Sequence, residues 1–579
     1  MHKLLPNLLI FLFLLHTTKT IASSTSDTIP GKIEFISPVE IPISLAGNFG
    51  ELRPGHFHAG LDIRTQGREG LKIRSIYKGY VSRIAVSLYG YGKVVYVTHP
   101  NGYTSVYAHL SRFNDELENF IKNEQYRSKN FEVELYPEAG QFKLNQGDRV
   151  GWSGNTGGSG GPHLHFEIRN TLSEKPINPL HFNFKVTDNI APTLKHLTIY
   201  PLNENSSIDH NDLQKTYKLS KSGNTYYLNG GIVPIVKGKI GFGIEAMDKV
   251  NNSPFSNGVY SIELLKDNQR VYYHVMDSIG FDKTRYINAH MDYHQKVKNR
   301  KKVQRSYLLE GNKLDIYKDL VNNGQLFFVD SSTHNLEYRV MDFYGNTSTL
   351  KFKVKSNQLE HHVMVKKESV QTLKYGEPNY FENDNLRINI PASCLYEDTP
   401  LYLKEEKAIG RCVTPRYHVN RLSDPLQDYI DLSINVNSIP ENQRSKLVIV
   451  SLNAKSGILA AEGGGVDSNW ISVKTRSFGP YTVMKDTIPP RVKNTIAING
   501  QSFNENQKIT FSVKDDISGL GRYEAFVDEE WHLIEYQKNK SKAFLKLDRV
   551  QKTGSKHDLR VEFTDKVGNK TIERYYFFY

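Results

Sequence analysis

The sequence contains little cysteine. Cys394 and Cys412 are the only two in 579 residues, too few for a metal centre built from cysteine thiolates. The pair leaves two alternatives open: one disulfide formed in an oxidising compartment, or two buried free thiols. Tryptophan is also scarce, with 3 residues against 34 tyrosines and 28 phenylalanines, which favours β-rich domains. Glycine (42) and proline (23) are at ordinary levels, so collagen-like and proline-rich chains are excluded.

Long apolar runs are absent except near the N-terminus, where residues 8–15 are unbroken. This run is too short to cross a bilayer, which takes about 20 apolar residues. Lys3 precedes the run and small residues near Ala22 follow it, so residues 1–22 are predicted to be a secretory signal peptide. An uncleaved anchor is the alternative, and a lipoprotein anchor is excluded because no cysteine lies near the cleavage point. We expect an exported chain with no transmembrane segment after cleavage, located in the periplasm or outside the cell.

Charge and length limit the partners and the domain count. The 74 basic residues exceed the 62 acidic ones, giving a net charge of +12, which suggests an anionic partner. An exported chain does not meet nucleic acid, so no nucleic-acid partner is expected. A hydrophobic content of 38% and a charged content of 23% exclude a disordered chain and a polytopic membrane protein. At this length we expect about three to five domains.

An internal repeat organises the C-terminal part of the chain. Asp188 and Asp486 are each followed by proline four residues later, and a matching strand and Gly-Asn turn, around Asp342 and Asp565, closes each copy. This order of a proline turn, a strand and a Gly-Asn turn is typical of small β-sandwiches. The sequence therefore predicts an all-β chain, in which a β-sheet domain is followed by about three β-sandwich (Ig-like) modules. The predicted domains are residues 23–186, residues 187–356 with an insertion, a β-rich middle domain at 357–485, and residues 486–579.

Two short segments of the first domain carry candidate chemistry. One contains His58 and Asp62, and the other contains His163 and His165. In a strand, residues two apart point to the same face, so the last two histidines would project into one cavity. Two imidazoles and a carboxylate are a suitable ligand set for catalytic zinc, which leaves its fourth position to water. Taken singly, each pair is weak evidence for a metal site, because such histidines more commonly have a structural role and form hydrogen bonds.

The order of four motifs strengthens the metal hypothesis. Residues 55–62, 106–110, 147–157 and 162–167 together resemble the lysostaphin-type (M23) zinc metallopeptidases, a family of peptidoglycan endopeptidases. The resemblance extends over about residues 45–182. It implies a lysostaphin-type β-sheet peptidase domain with one Zn²⁺ per chain.

The resemblance also implies roles for five residues. His58, Asp62 and His165 match the zinc ligands of the family, and His163 and His109 match its two catalytic histidines that are not ligands. We favour His163 as the general base and His109 as the group that stabilises the oxyanion.

Residues 112–142 depart from the family pattern as an insertion between two of the motifs. Leu117, Phe120 and Ile121 have helical spacing, and Asn114 is a suitable N-cap, so a short helix is predicted within residues 113–125. We expect the insertion to lie beside the active site as a lid or a groove wall. Glu167 has two equally acceptable interpretations: its carboxylate orients His165, or the residue lies at the surface.

The sequence thus predicts a secreted zinc metalloendopeptidase that hydrolyses peptide cross-links of bacterial peptidoglycan. The alternatives are a non-catalytic scaffold or activator of other cell-wall hydrolases, and a secreted zinc protease acting on protein substrates. The downstream modules are expected to bind the cell wall, bind a protein partner, or cover the active site. Their aspartate turns are interpreted as structural in preference to calcium-binding.

Overall fold

A computed structural model describes residues 35–357, 368–453, 455, 457–552 and 554–579. The predicted signal peptide, residues 1–22, lies outside the described residues. Residues 35–579 belong to one compact unit, here divided into a first region (35–186), a second region (187–357), a third region (368–485) and a fourth region (486–579). Strands dominate all four regions, so the prediction of an all-β chain is confirmed.

The first region is built around a nine-stranded sheet. Its strands are β1 Leu45–Gly47, β2 Leu52–Arg53, β3 His56–Phe57, β4 Leu61–Arg64, β5 Lys72–Arg74, β6 Gly79–Val86, β7 Lys93–Thr98, β8 Tyr103–Ala108, β9 Arg112–Phe113, β10 Val133–Leu135, β11 Lys143–Leu144, β12 Arg149–Trp152, β13 His163–Asn170 and β14 Pro176–Ile177. The order is β1-β4-β13-β8-β7-β6-β10, with β11 on β6 and β14 on β13; smaller sheets are β5-β12-β9 and β2-β3. Strand β8 is buried along its whole length, so the centre of the sheet is covered on both faces.

The predicted helix is confirmed as α1, Asp115–Ser128. Asn114 caps it by accepting a hydrogen bond from the backbone N–H of Leu117 at 2.9 Å. Asp115 and Glu116 lie in its first turn, where negative charge stabilises the helix N-terminus.

The second region contains a twelve-stranded sheet. Its elements are β15 Thr193–Pro201, β16 Ser207–Ile208, β17 Lys215–Ser222, β18 Thr225–Leu228, β19 Ile235–Met247, β20 Ser261–Lys266, β21 Gln269–Val275, α2 Ile287–His290, α3 Tyr293–Asn299, β22 Val303–Arg305, β23 Tyr317–Leu320, β24 Leu326–Phe328, β25 Thr333–Met341 and β26 Thr347–Ser356. The order is β16-β19-β15-β17-β18-β26-β25-β20-β21-β23, with β22 and β24 on β19. An additional pairing of β19 with β26 closes part of the sheet on itself.

The third region packs two five-stranded sheets over one core. Its strands are β27 Gln371–Leu373, β28 Asn379–Glu382, β29 Leu386–Ile390, β30 Thr399–Leu401, β31 Leu403–Glu406, β32 Arg416–Val419, β33 Pro425–Asn435, β34 Leu447–Leu452, β35 Ile458–Gly463, β36 Gly465–Asp467, β37 Trp470–Ser477 and β38 Gly479–Lys485. The sheets are β28-β29-β33-β37-β36 and β31-β32-β38-β34-β35, beside the β27-β30 pair. Leu432 and Val483, from opposite sheets, belong to the same buried cluster, as in a β-sandwich.

The fourth region also packs two sheets over one core, with fewer strands than the third. Its strands are β39 Arg491–Asn494, β40 Gln501–Ser502, β41 Lys508–Lys514, β42 Leu520–Val527, β43 Glu530–His532, β44 Ile534–Gln537, β45 Lys542–Lys546, β46 Lys556–Asp565 and β47 Lys570–Phe578. The sheets are β39-β41-β45-β44 and β40-β47-β46-β42-β43. Phe511 and Phe577, one from each sheet, share the buried core.

Both cysteines are free thiols in the structure. Cys394 is buried and its Sγ donates to the carbonyl of Tyr429 at 3.2 Å, whereas Cys412 is partly exposed. In the described part of the chain, no helix has both the length and the apolar character that crossing a bilayer requires.

A shared apolar cluster joins the first and second regions. Phe49, Leu52 and Phe57 of the first region contact Met276 and its neighbours in the second. Met276 is 1% exposed. Both regions contribute side chains to this cluster. Removing the side chains of one region would therefore expose the apolar surface of the other region to water.

We therefore expect Met276→Ala to destabilise the first and second regions together. The lost apolar burial and the resulting cavity should cost about 2–5 kcal/mol, measured as a lowered calorimetric unfolding transition. Leu172→Ala is the matched control, because Leu172 is 97% exposed and its replacement should change stability by less than about 0.5 kcal/mol. Equal transitions for the two variants would contradict this packing.

Candidate metal centre and active site

The pairing of β4 with β13 brings the predicted ligands together. The two strands are antiparallel, and Asp62 lies directly opposite His165. Directly opposite residues of an antiparallel pair share a face and have neighbouring Cβ atoms. His163, two residues earlier on β13, lies on the same face, and His58 approaches from the segment between β3 and β4.

Three donor atoms converge at this point. His58 Nε2 lies 3.0 Å from Asp62 Oδ1 and 3.0 Å from His165 Nδ1, and the last two atoms are 2.9 Å apart. All three side chains are buried. Two atoms bound at about 2.1 Å to one tetrahedral zinc are roughly 3.4 Å apart, so a small outward shift would accommodate the ion. Two imidazole nitrogens and one carboxylate oxygen are also zinc's preferred type of ligand, and the group fits the metal.

The outer atoms of the three side chains are held by neighbours. His58 Nδ1 donates to the carbonyl of Asn48 at 2.7 Å, and the second carboxylate oxygen of Asp62 pairs with Arg53. His165 Nε2 donates to Glu167 Oε1 at 2.8 Å. These contacts fix each imidazole so that its remaining nitrogen faces the group, which is the usual support of metal-binding histidines.

Glu167 is an interior residue, which decides between the two interpretations left open by the sequence. It is fully buried and also accepts hydrogen bonds from the hydroxyl of Tyr91 and, at 2.7 Å, from Arg169 Nε. Burial alone would raise the pKa of Glu167, but Arg169 and His165 lower it to about 2. Burial alone would lower the pKa of His165, but its hydrogen bonds to Asp62 and Glu167 raise it to about 9.

Two further histidines lie beside the three donors. The rings of His109 and His163 are 4.7 Å apart, and His163 Nε2 is 3.4 Å from Asp62 Oδ1. His109 Nδ1 donates to the carbonyl of Thr156 at 2.9 Å, and His163 Nδ1 donates to that of Gly161 at 2.8 Å. Burial lowers the pKa of His109 to about 3. Both rings therefore have an Nε2 that is not committed to the backbone.

The glycine-rich segment before β13 permits this arrangement. A methyl group on Gly154 would lie 2.3 Å from the backbone nitrogen of Ser111 and 2.7 Å from the carbonyl of His109. Gly157 has a φ of 70°, a conformation that favours glycine. The motif at residues 147–157 thus brings two backbone segments close enough to hold His109.

Several supporting residues were missed by sequence reasoning. Asn48, Tyr91 and Arg169 were assigned no role, although Arg169 continues the alternation of His163, His165 and Glu167 along β13. That period of two was the available signal for Arg169. No local pattern identifies Asn48 or Tyr91.

His56 is exposed, its Nδ1 bonds to the carbonyl of Pro54, and it lies outside the donor group.

The insertion contributes no donor to the site, and its role as a lid or a groove wall stays a prediction. Its strand β10 pairs with β6 at the far edge of the sheet, four strands from β13. Its helix α1 instead contacts the fourth region: the rings of Tyr126 and Trp531 are 5.4 Å apart, and Arg549 donates to Asn123. In the described structure, no hydrogen bond or ion pair joins the insertion to the five site residues.

The fourth region also reaches the glycine-rich segment. Asn539 Nδ2 donates to the carbonyl of Ser159 at 3.4 Å, and Lys538 Nζ donates to the hydroxyl of Tyr89 at 2.7 Å. Ser159 Oγ in turn lies 3.2 Å from His163 Nδ1. The fourth region therefore borders the segment that positions His163.

Glu167→Gln should weaken zinc binding about 10–100-fold, because the neutral amide no longer supports His165 as a charged acceptor. Competition with a chromogenic chelator measures this affinity. Glu174→Gln is the matched control: Glu174 approaches the same Arg169 at 3.9 Å but is largely exposed, and its replacement should leave zinc affinity unchanged. Equal affinities for both variants would contradict the role of Glu167.

Two family models match the chain. The model described as peptidase family M23 matches residues 56–126, which include His58, Asp62 and His109, and one described as a Zu5-like domain matches residues 370–486. The catalytic domain of lysostaphin from Staphylococcus simulans is 26% identical, with a TM-score of 0.18, and the match covers 23% of this chain and 87% of that domain.

Two curated bacterial proteins are similar to part of the chain. The DD-carboxypeptidase/endopeptidase Mpg of Neisseria meningitidis is 29% identical over 129 residues, 22% of this chain and 23% of that protein. The murein hydrolase activator NlpD of Salmonella dublin is 30% identical over 168 residues, 29% of this chain and 35% of that protein. This chain thus matches only about a quarter to a third of each relative's length. The match of residues 56–126 to the M23 family model, together with these two relatives, shows an M23 peptidase segment in the first region.

Proposed function

We propose that this protein is an exported zinc metalloendopeptidase that hydrolyses peptide cross-links of bacterial peptidoglycan, with one Zn²⁺ per chain. The observation that carries the proposal is the convergence of donor atoms from His58, Asp62 and His165 within 3.0 Å of one another. Each donor residue is fixed from outside by a hydrogen bond or an ion pair, so the group is preorganised for an ion.

The two histidines beside the donors supply the proton-transfer groups. Bound zinc would act as a Lewis acid and acidify a water molecule. His163 donates from Nδ1 to Gly161, so its neutral ring keeps a lone pair on Nε2, and we assign it as the general base. His109 is held through Nδ1 by Thr156, and burial keeps its ring neutral at rest. We assign it as the group that donates from Nε2 to the oxyanion or the leaving amine after it has received the proton that His163 takes from water.

The substrate class is supported by similarity and by charge. The Neisseria relative is named as an endopeptidase, and family M23 matches the segment that holds the first two ligands. The net charge of +12 favours contact with an anionic wall polymer. The predicted signal peptide places the activity in the periplasm or at the cell exterior, and the later regions are proposed to contact the wall or a protein partner.

A non-catalytic activator is the second candidate, because the Salmonella relative is named as a murein hydrolase activator. An activator needs no metal, whereas here the three donors and both neighbouring histidines are all present. A zinc protease acting on protein substrates would use the same five residues and differs only in its substrate.

Mass spectrometry of muropeptides separates these candidates. Residues 23–579 are incubated with purified peptidoglycan or unfolded protein, each with zinc or a chelator. Zinc-dependent loss of cross-linked dimers is the expected result. Cleavage of protein alone would indicate a protein protease, and release of muropeptides only when another wall hydrolase is added would indicate an activator.

Single substitutions test the assigned roles. His165→Ala should lose zinc and activity together because it removes a ligand. His109→Ala should retain zinc while its turnover falls about 10²–10⁴-fold, the usual contribution of a positioned acid or base. Metal content and dimer cleavage are measured on the same samples.

His56→Ala is the matched control for these two variants. His56 lies on the same segment as His58 but is exposed, so this variant should retain both zinc and activity. Full activity in His165→Ala or His109→Ala would refute the assignment.

A further inference from the structure

Three aspartates of the second region meet at one end of its sheet. Asp188 precedes β15, Asp248 follows β19, and Asp342 follows β25; each offers a ligand atom within 4.8 Å of the other two. Strands β15 and β19 are paired so that Thr193 lies opposite Met247. The two flanking aspartates are therefore brought together by the register of the sheet.

The fourth region repeats this cluster. Asp486 precedes β39, Asp515 follows β41, and Asp565 ends β46, again with ligand atoms within 4.8 Å of one another. Arg491 of β39 lies opposite Lys514 of β41, the same register relation as in the second region. The repeat thus has a third aspartate per copy, which differing loop lengths conceal in the sequence.

No basic side chain neutralises these groups. Among the described residues, no lysine, arginine or histidine forms an ion pair with any of the six carboxylates. Asp248, Asp342, Asp486 and Asp565 are each at most 3% exposed. Backbone N–H groups and asparagine amides donate to several of these carboxylates, as at Asp342 and Asp565. In the described structure, however, their negative charge is balanced by no cationic side chain, and a buried charge is ordinarily paired or bound to a metal ion.

An unpartnered polar side chain stands beside the first cluster. Asn257 is 3% exposed, and neither its amide nitrogen nor its amide oxygen has a partner in the described structure. It is the direct antiparallel bridge partner of Asp248, so the two side chains lie on the same face. Asp248 Oδ1 is unpartnered as well. The Asn257 amide oxygen and Asp248 Oδ1 are thus two buried, unpartnered oxygens on the face that carries the cluster.

The second cluster shows a corresponding feature. Ser518 is 2% exposed and its hydroxyl has no partner in the described structure, while its backbone N–H donates to Asp486 at 3.0 Å. Asp515 Oδ2 is likewise buried without a partner. Both copies therefore combine three carboxylates with a neighbouring unpaired polar group.

We propose that each three-aspartate cluster binds a divalent cation through oxygen ligands, with Ca²⁺ as the fitting ion. Ca²⁺ takes six to eight oxygen ligands from carboxylates, amides and backbone carbonyls in a flexible geometry. Mg²⁺ requires shorter bonds in a strict octahedron. Neither cluster contains an imidazole or a thiolate, which distinguishes both from the zinc group of the first region. This proposal takes the calcium-binding alternative for these turns, over the structural interpretation that the sequence favoured.

The first site lies where it can stabilise the peptidase domain. In the segment after Asp248, Ser253 Oγ donates to the carbonyl of Leu45 at 2.6 Å. Gly258 exchanges two hydrogen bonds of 2.8 Å with the Asn48 side chain, and the Asn48 carbonyl supports His58. A cation at Asp248 would therefore anchor the segment that holds this support.

The second site lies where the third and fourth regions join. Asp486 donates its backbone N–H to the carbonyl of Lys446 at 2.8 Å, and Lys446 Nζ donates to the carbonyl of Val567. A cation at Asp486 would bind the last strand of one region to the closing turn of the next.

Calorimetric titration of zinc-loaded residues 23–579 with CaCl₂, in buffer freed of divalent ions, tests the proposal. Two Ca²⁺ per chain are expected, with a Kd below about 1 mM, as for extracellular modules. Asp248→Asn and Asp515→Asn should each leave one site, and the double variant should leave none. In parallel, Ca²⁺ should raise the melting temperature of the unsubstituted chain but not that of the double variant.

Asp516→Asn is the matched control, because Asp516 adjoins Asp515 but pairs with Arg491 at the surface; it should retain both sites. No Ca²⁺ uptake by the unsubstituted chain, or two equivalents bound by the double variant, would overturn the proposal. Tighter binding of Mg²⁺ would overturn the choice of ion. The unsubstituted chain gives a decisive result even if a variant fails to fold.

Discussion

The site depends on the register between β4 and β13. With Asp62 opposite His165, a ligand from each strand faces the same space, and the strand period of two adds His163 and Glu167 to that face. Leu164 and Phe166, on the alternate face of β13, are fully buried. A slip of one residue would bring those apolar side chains to the donor group and turn the proposed ligands away, so packing of the opposite face fixes the geometry of the candidate site.

Much of the candidate site could be predicted because its signals are local. The spacing between His58 and Asp62 and the alternation of His163 and His165 are visible within a few residues, and the helix after Asn114 has its own cap and periodicity. The environment of Glu167 is different. Its burial depends on Tyr91 and Arg169, and the contact with Tyr91 joins residues 76 positions apart, which no local pattern records.

Long-range packing also explains what the sequence could not predict. The strand of the insertion extends the far edge of the sheet from β13, and its helix contacts a residue 426 positions away. The sequence repeat revealed two aspartates per copy, whereas the third emerges only when β19 and β41 are paired with their neighbours. In both cases the decisive constraint is strand pairing between distant segments, not residue type.

Zinc X-ray absorption spectroscopy on residues 23–579, combined with metal analysis, tests the central claim most directly. The account predicts one zinc per chain in a shell of nitrogen and oxygen ligands without sulfur, and loss of that zinc in Asp62→Ala. Retention of a full equivalent of zinc in Asp62→Ala, or a sulfur ligand in the spectrum, would contradict it.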